Sequence, residues 1–265
     1  MPPEANNAAL AAVKAPPAPG EGRADAETFY AEVLRRVGEM GVPFLLAGTY
    51  AVVAHTGISR PTKDLDIFAK PGDAPRILNH FAKLGYDIEV EDERWLGKAR
   101  RGEYFFDVVY AVAAGTMPVT DEWFRYASDT EVFGVPVRLV GPTELVWSKA
   151  FIQVRHRYDG ADVAHVILRQ HENIDWHRLL GYFEQHWEVL LMHLLNFRFI
   201  YPSERNVVPR WLMDELTGRL RQQLDLPPPQ RKLCRGRMFS RIDYAIDVKQ
   251  WGFADTSGEG DRRDG

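Results

Sequence analysis

Apolar residues recur at helical spacing where the chain first becomes rich in them: Phe29, Val33, Val37 and Met40 predict an amphipathic helix over 26–40. The period then changes. Pro43-Phe44-Leu45-Leu46-Ala47 is a short apolar run that stops at Gly48, the pattern of a buried strand, and 50–55 returns to a helical pattern. Leu65, Ile67 and Phe68 mark a second strand, with Asp64 and Asp66 at alternate positions. Over 72–84, Ile77, Leu78, Phe81 and Leu84 share one helical face, and 104–110 is strongly β-prone. Residues 131–140 read as a hairpin turning near Gly134, and Pro142 suits the first turn of a helix that runs to about Val154. From Asp159 onward the pattern is helical, punctuated by Pro202, Pro209 and the run Pro227-Pro228-Pro229. No internal repeat is present.

These elements predict an α+β fold, a mixed sheet with helices followed by a helical C-terminal part. Four segments follow: a tail over 1–24, an α/β domain over 25–170, a helical region over 171–254 and a tail over 255–265. The first tail is rich in Ala, Pro and Gly and has too few large apolar side chains to offset its ordering entropy, so disorder is expected. The polar last residues are expected to be loose as well.

Composition narrows the function classes. Of the 265 residues, 45% are hydrophobic and 26% charged, and the formal net charge is -4, which argues against a protein that coats DNA or RNA without specificity. The single cysteine, Cys234, excludes an internal disulfide and a paired-cysteine zinc site. No apolar stretch is long enough for a membrane span. The start of the chain does not read as a secretion signal, so a cytoplasmic location is expected.

The sharpest local feature is Thr62-Lys63-Asp64-Leu65-Asp66-Ile67-Phe68. Strand side chains alternate, so both aspartates face one side, about 6–7 Å apart, while Leu65 and Ile67 face a core. Two such carboxylates repel unless a positive charge lies between them, and a hard divalent cation with oxygen ligands answers that need. A bare Asp-x-Asp is more often a solvated strand or turn, but three features favour a site here. Gly48-Thr49 ends an apolar strand and opens a helix, where a glycine permits close approach and a helix start favours phosphate. Asp107 interrupts the apolar strand 104–110, which is unfavourable unless the carboxylate is paired or metal-bound. Lys149, on the helix after Pro142, offers a point charge for phosphates, beside the alternative of an ordinary surface lysine.

In this order the residues resemble the nucleotidyltransferase superfamily with the DNA polymerase β-like fold. Its signature is Gly followed by Gly, Ser or Thr at a strand end, then a Dx[DE] strand, then a third acidic residue on a later strand. Gly48-Thr49, Asp64 with Asp66, and Asp107 stand at those places. Arg60-Pro61-Thr62-Lys63-Asp64-Leu65-Asp66 is similar to the R-x-[ST]-x-D-[IL]-D form of AbiEii-like and related minimal bacterial members. Gly134 to Val137, Pro142 to Leu145 with Lys149, and Arg157 with Asp159-Gly160-Ala161-Asp162 resemble later segments of that group. The resemblance spans about 27–170. It departs from the common pattern at Thr49 and at Tyr158, where a lysine is usual.

The resemblance implies transfer of a nucleotide from an NTP to a hydroxyl. Asp64, Asp66 and Asp107 would be catalytic and would hold two Mg²⁺ ions, or Mn²⁺. Gly48, Thr49, Arg60 and Lys149 would meet the nucleotide. The base and the acceptor (a small molecule, a tRNA or a protein) stay open. A catalytically silent binding or antitoxin-like module of the same fold is the alternative; a hydrolase ranks last because the usual histidine clusters are missing.

In the remainder, Trp176, Trp187, Phe197, Phe199, Tyr201 and Trp211 read as core aromatics, and His171, His177, His186 and His193 have no metal-ligand spacing. Arg231, Lys232, Arg235, Arg237 and Arg241 read first as a solvated face, with contact to an anionic acceptor as the other reading. Ile242, Tyr244, Ile246, Val248, Trp251 and Phe253 suggest a tail that docks on the body.

Overall fold

The structure is a computed structural model that describes residues 23–58, 62, 64–112, 115, 117–154, 157–236, 238 and 241–257. Most of the first expected tail, the last eight residues, Arg60, Lys63 and Arg237 lie outside the described residues. In chain order the first elements are α1 (Arg23–Glu39), β1 (Leu45–Leu46), α2 (Gly48–Thr56), β2 (Leu65–Phe68), α3 (Ala74–Lys83), β3 (Asp87–Asp92), β4 (Leu96–Arg101) and β5 (Tyr104–Val109). A short pair, β6 (Ala111–Val112) and β7 (Met117–Pro118), precedes α4 (Asp121–Arg125), β8 (Ser128–Val132), β9 (Val135–Leu139) and α5 (Pro142–Lys149). Then come the pair β10 (Gln153–Val154) and β11 (Arg157–Tyr158), and the helices α6 (Gly160–Gln170), α7 (Trp176–Tyr182), α8 (Trp187–Ile200) and α9 (Arg210–Leu224). The described chain closes with β12 (Leu233–Cys234), α10 (Arg241–Lys249) and β13 (Ala254–Asp255).

Seven strands form one mixed sheet in the order β3-β4-β5-β2-β1-β9-β8. The β2–β5 and β1–β9 pairs are parallel and the rest antiparallel. The α+β class expected from periodicity is therefore the class observed. The hairpin turns through Phe133 and Gly134, both at positive φ. Gly134 accepts that conformation freely, whereas Phe133 is the one non-glycine residue described there.

Three differences from the sequence reading have physical reasons. Strands β3 and β4 are absent from the sequence-based expectation: Leu96–Arg101 is too basic for an apolar period, while Asp87-Ile88-Glu89-Val90-Glu91 does alternate charged and apolar positions. They form because β4 pairs along its whole length with β5, and because Gly97 leaves room for Leu78 of α3 against the sheet. The helix after Pro142 ends at Lys149 rather than near Val154, and Gln153 and Val154 pair instead with Tyr158 and Arg157. The C-terminal part also holds a parallel two-residue pair, β12 with β13.

The buried core runs from Phe29 to Leu216 without a break at the expected boundary near 170. Trp147 of α5 bridges it, with its ring 4.4 Å from Phe183 and 5.2 Å from Phe151. His193 is buried and bonds through Nε2 to the Ala150 carbonyl at 2.7 Å, a structural role. Not every aromatic of the helical part is core: Phe199 is 85% exposed, and Trp211 stacks on His177 near the surface. Arg231, Lys232 and Arg235 are exposed, as a solvated face would be. Of the expected docking residues Tyr244 is buried, while Ile242 and Trp251 face outward. Asp255 to Ser257 are tied down rather than loose: β13 pairs with β12, and the Tyr244 hydroxyl donates to Ser257 Oγ at 3.2 Å.

Candidate metal and nucleotide site

Parallel pairing of β2 with β5 aligns Asp66 with Asp107. Paired residues in a ladder send their side chains to one face, so the two carboxylates lie side by side. Their neighbours Leu65, Ile67, Phe106 and Val108 go to the other face and are buried there, where Phe81 of α3 meets Phe106 edge-on at 4.7 Å. Asp64 lies one step before β2. The Thr62 hydroxyl orients it, donating to Asp64 Oδ1 at 2.7 Å. One carboxylate oxygen from each of Asp64, Asp66 and Asp107 lies within 4.8 Å of the others. The three aspartates singled out in the sequence thus form one cluster.

The turn between β1 and α2 closes over this cluster. Gly48 opens α2 at φ 57, and a Cβ at that position would lie 1.7 Å from Asp66 Oδ2. Only glycine allows the helix start to approach the carboxylate so closely. The Ala47 amide donates to the Asp66 carbonyl at 3.0 Å and fixes that approach, and no side chain caps the helix. Thr49 follows, half-buried, at the second position of α2. A helix start directs its free amides and the positive end of its dipole outward, here beside the aspartate cluster.

Electrostatics mark the cluster as short of positive charge. Burial, then the charges of Asp64 and Asp107, push the Asp66 carboxyl up to about 7. Burial also raises Asp107, to about 6, with Lys98 opposing the rise and Asp64 adding to it. Burial and the nearby aspartates, Asp64 first, raise Tyr30 as well. Asp107 Oδ1 is buried and receives no hydrogen bond. Three converging carboxylates, one with a buried oxygen that accepts no hydrogen bond, fit a hard divalent cation that prefers oxygen ligands.

Neither a protein-family model nor a curated protein matches this chain. The chain is similar to solved nucleotidyltransferases. The antibiotic-resistance factor ANT(2'')-Ia matches at 16% identity and TM-score 0.47, over 64% of this chain and 97% of its own. The lincosamide antibiotic adenylyltransferase LnuA, solved with lincomycin bound, matches at 19% identity and TM-score 0.40, over 53% of this chain and 94% of its own. An antigenic nucleotidyltransferase-like protein from Paracoccidioides brasiliensis matches at 13% identity and TM-score 0.42, over 70% and 92%.

Lys149 and Arg157, also singled out in the sequence, are placed differently, and Arg60 lies outside the described residues. Lys149 is 4% exposed, and its ammonium is held by Asp159 Oδ2 at 2.6 Å and Asp162 Oδ2 at 2.9 Å. It is a buried, doubly paired charge rather than a free one. Arg157 is the half-exposed cation of this neighbourhood: its Nε donates to Asp159 Oδ1 at 3.2 Å. Against the effect of burial, Asp159 and then Asp66 and Asp64 hold Arg157 charged, which places it within the field of the carboxylate cluster.

Two contributors carried little signal in the sequence. Thr62 is visible only as part of a motif. Lys98 belongs to a strand that periodicity did not reveal, although its basic L-G-K-A-R-R run opposite the acidic D-I-E-V-E-D run is a cross-strand charge pattern.

Proposed function

We propose that the protein is a divalent-cation-dependent nucleotidyltransferase that moves a nucleotidyl group from an NTP to a hydroxyl acceptor. The observation that carries this reading is the β2–β5 register, which sets Asp66 beside Asp107 with Asp64 at the strand entrance. Two Mg²⁺ ions, or Mn²⁺, held by these carboxylates would supply Lewis-acid stabilisation of the attacking and leaving oxygens. The chain's own residues have separable tasks. The start of α2, with Gly48 and the Thr49 hydroxyl, receives the triphosphate. Arg157 adds a guanidinium for phosphate oxygens, and Arg60 is assigned the same task from the sequence. Lys149 anchors the start of α6 and, through Asp159, the position of Arg157.

The acceptor oxygen forms a bond to the α-phosphorus, the bond from that phosphorus to the bridging oxygen breaks, and pyrophosphate leaves. Asp107 takes the hydroxyl proton. The test is incubation of α-labelled NTPs with Mg²⁺ and a panel of hydroxyl acceptors spanning small molecules, tRNA ends and proteins. Label should move to one acceptor, and an Asp66→Ala protein that retains full transfer sinks the assignment. Stabilisation by NTP with no transfer to any acceptor favours the silent binding module.

A further inference from the structure

A positive charge faces Asp107 from the neighbouring strand. The β4–β5 register pairs Lys98 with Asp107. The Lys98 ammonium is 3.6 Å from Asp107 Oδ1 and 2.9 Å from Glu91 Oε1, and it rides 4.4 Å over the Phe105 ring. The longer separation is an ion pair without a hydrogen bond, so Lys98 contacts Glu91 and serves Asp107 by charge alone. The Lys98 side chain is 13% exposed, so water screens this charge little, whereas Glu91 at 40% is close to solvent. The lysine therefore has one partner inside the site and another at its rim.

We propose that Lys98 is a positioning residue, an internal counter-ion that holds Asp107 while the site is empty and opposes a divalent cation that enters, with Glu91 as the anchor that lets it yield. This rests on the cation-binding reading of the aspartate cluster. Asp107 is drawn either by the ammonium or by the incoming cation, and two cations a few ångströms apart repel at the effective dielectric of a protein. The two flanking residues then act in opposite directions. Removing the lysine charge removes a competitor. Removing the Glu91 charge leaves the lysine to Asp107 alone and strengthens the competition.

The experiment is a Mn²⁺ titration of the full chain without nucleotide, with free Mn²⁺ followed by electron paramagnetic resonance. Lys98→Met is expected to bind Mn²⁺ at least about tenfold more tightly than the wild type. Lys98→Arg, which keeps the charge, should return affinity close to wild type, and Glu91→Gln should weaken binding several-fold. A lysine that merely braces the sheet would give the opposite sign for Lys98→Met. Binding that is unchanged or weaker in Lys98→Met overturns the proposal and leaves the aspartate site intact. Absence of Mn²⁺ binding from both wild type and Lys98→Met overturns the cation reading with it. If Lys98→Met does not fold, Lys98→Gln carries the same test: tighter binding than the wild type supports the proposal, and equal or weaker binding overturns it.

Discussion

Around Lys149 the buried charges close on themselves; around Asp66 they do not. The first group balances two cations, Lys149 and Arg157, against Asp159 and Asp162, and contacts as short as 2.6 Å tie it together. Its pKa directions agree: against burial, Lys149 is held charged and Asp159 is pulled below its usual range. The second group gathers three aspartates with Lys98 at one side, and two of its carboxyls are raised to about 7 and about 6. Both lie in the same fold, and their sequences look equally charged. A balanced cluster fixes where α5 and α6 meet; an unbalanced one is poised for a ligand that brings positive charge.

The contrast yields predictions of decreasing size. Lys149→Met removes the buried counter-ion that Asp159 and Asp162 share and should cost about 3–5 kcal/mol of unfolding free energy, read by urea denaturation. A loss under about 1 kcal/mol would show that the group is not closed. Asp66→Asn should act the other way round: transfer falls about 100- to 1000-fold, as when a preorganised electrostatic group is removed, while the cation-free melting temperature holds or rises. A large drop in stability would make Asp66 structural instead. Gly48→Ala forces a side chain against Asp66 from a left-handed backbone, and should cost about 1–3 kcal/mol together with weaker Mn²⁺ binding.

The same contrast can be read in pH. Asp66 and Asp107 bind protons more tightly folded than unfolded, so the folded state gains from them at low pH and loses that gain as pH rises through about 6 and about 7. The cation-free chain is expected to melt lower at pH 8 than at pH 5, with the slope reduced in Asp66→Asn and by millimolar Mg²⁺. A slope unaffected by both would trace the pH dependence to groups elsewhere.

What could be read from the sequence divides along similar lines. The aspartates and Gly48 were legible because their chemistry conflicts with their surroundings: acids on apolar strands, and a glycine where a strand becomes a helix. The helix over 26–40 and the hairpin near Gly134 were legible from period and turn chemistry. Strand β4 was hidden, because Lys98, Arg100 and Arg101 put charge on both faces and pairing with β5 makes it a strand. Strand β3, which pairs with β4, does alternate over Asp87-Ile88-Glu89-Val90-Glu91, a period open to reading but masked by its many acids. Lys98 was hidden with β4. Lys149 was visible as a cation, but its partners were not, since a sequence does not reveal that Asp159 and Asp162 fold back onto α5. Phe199 and Trp211 looked like core because aromatic spacing on a helix does not say which faces are covered.

The parallel register of Asp66 with Asp107 has a consequence for how the molecule comes together. These residues belong to strands far apart in the chain, with α3, β3 and β4 between them, and a slip of one position would turn one carboxylate to the opposite face. An unfinished sheet therefore lacks the aspartate cluster to which the proposed function assigns the cation. Capture of Mn²⁺ during refolding would be a clock for the moment when the central strands meet.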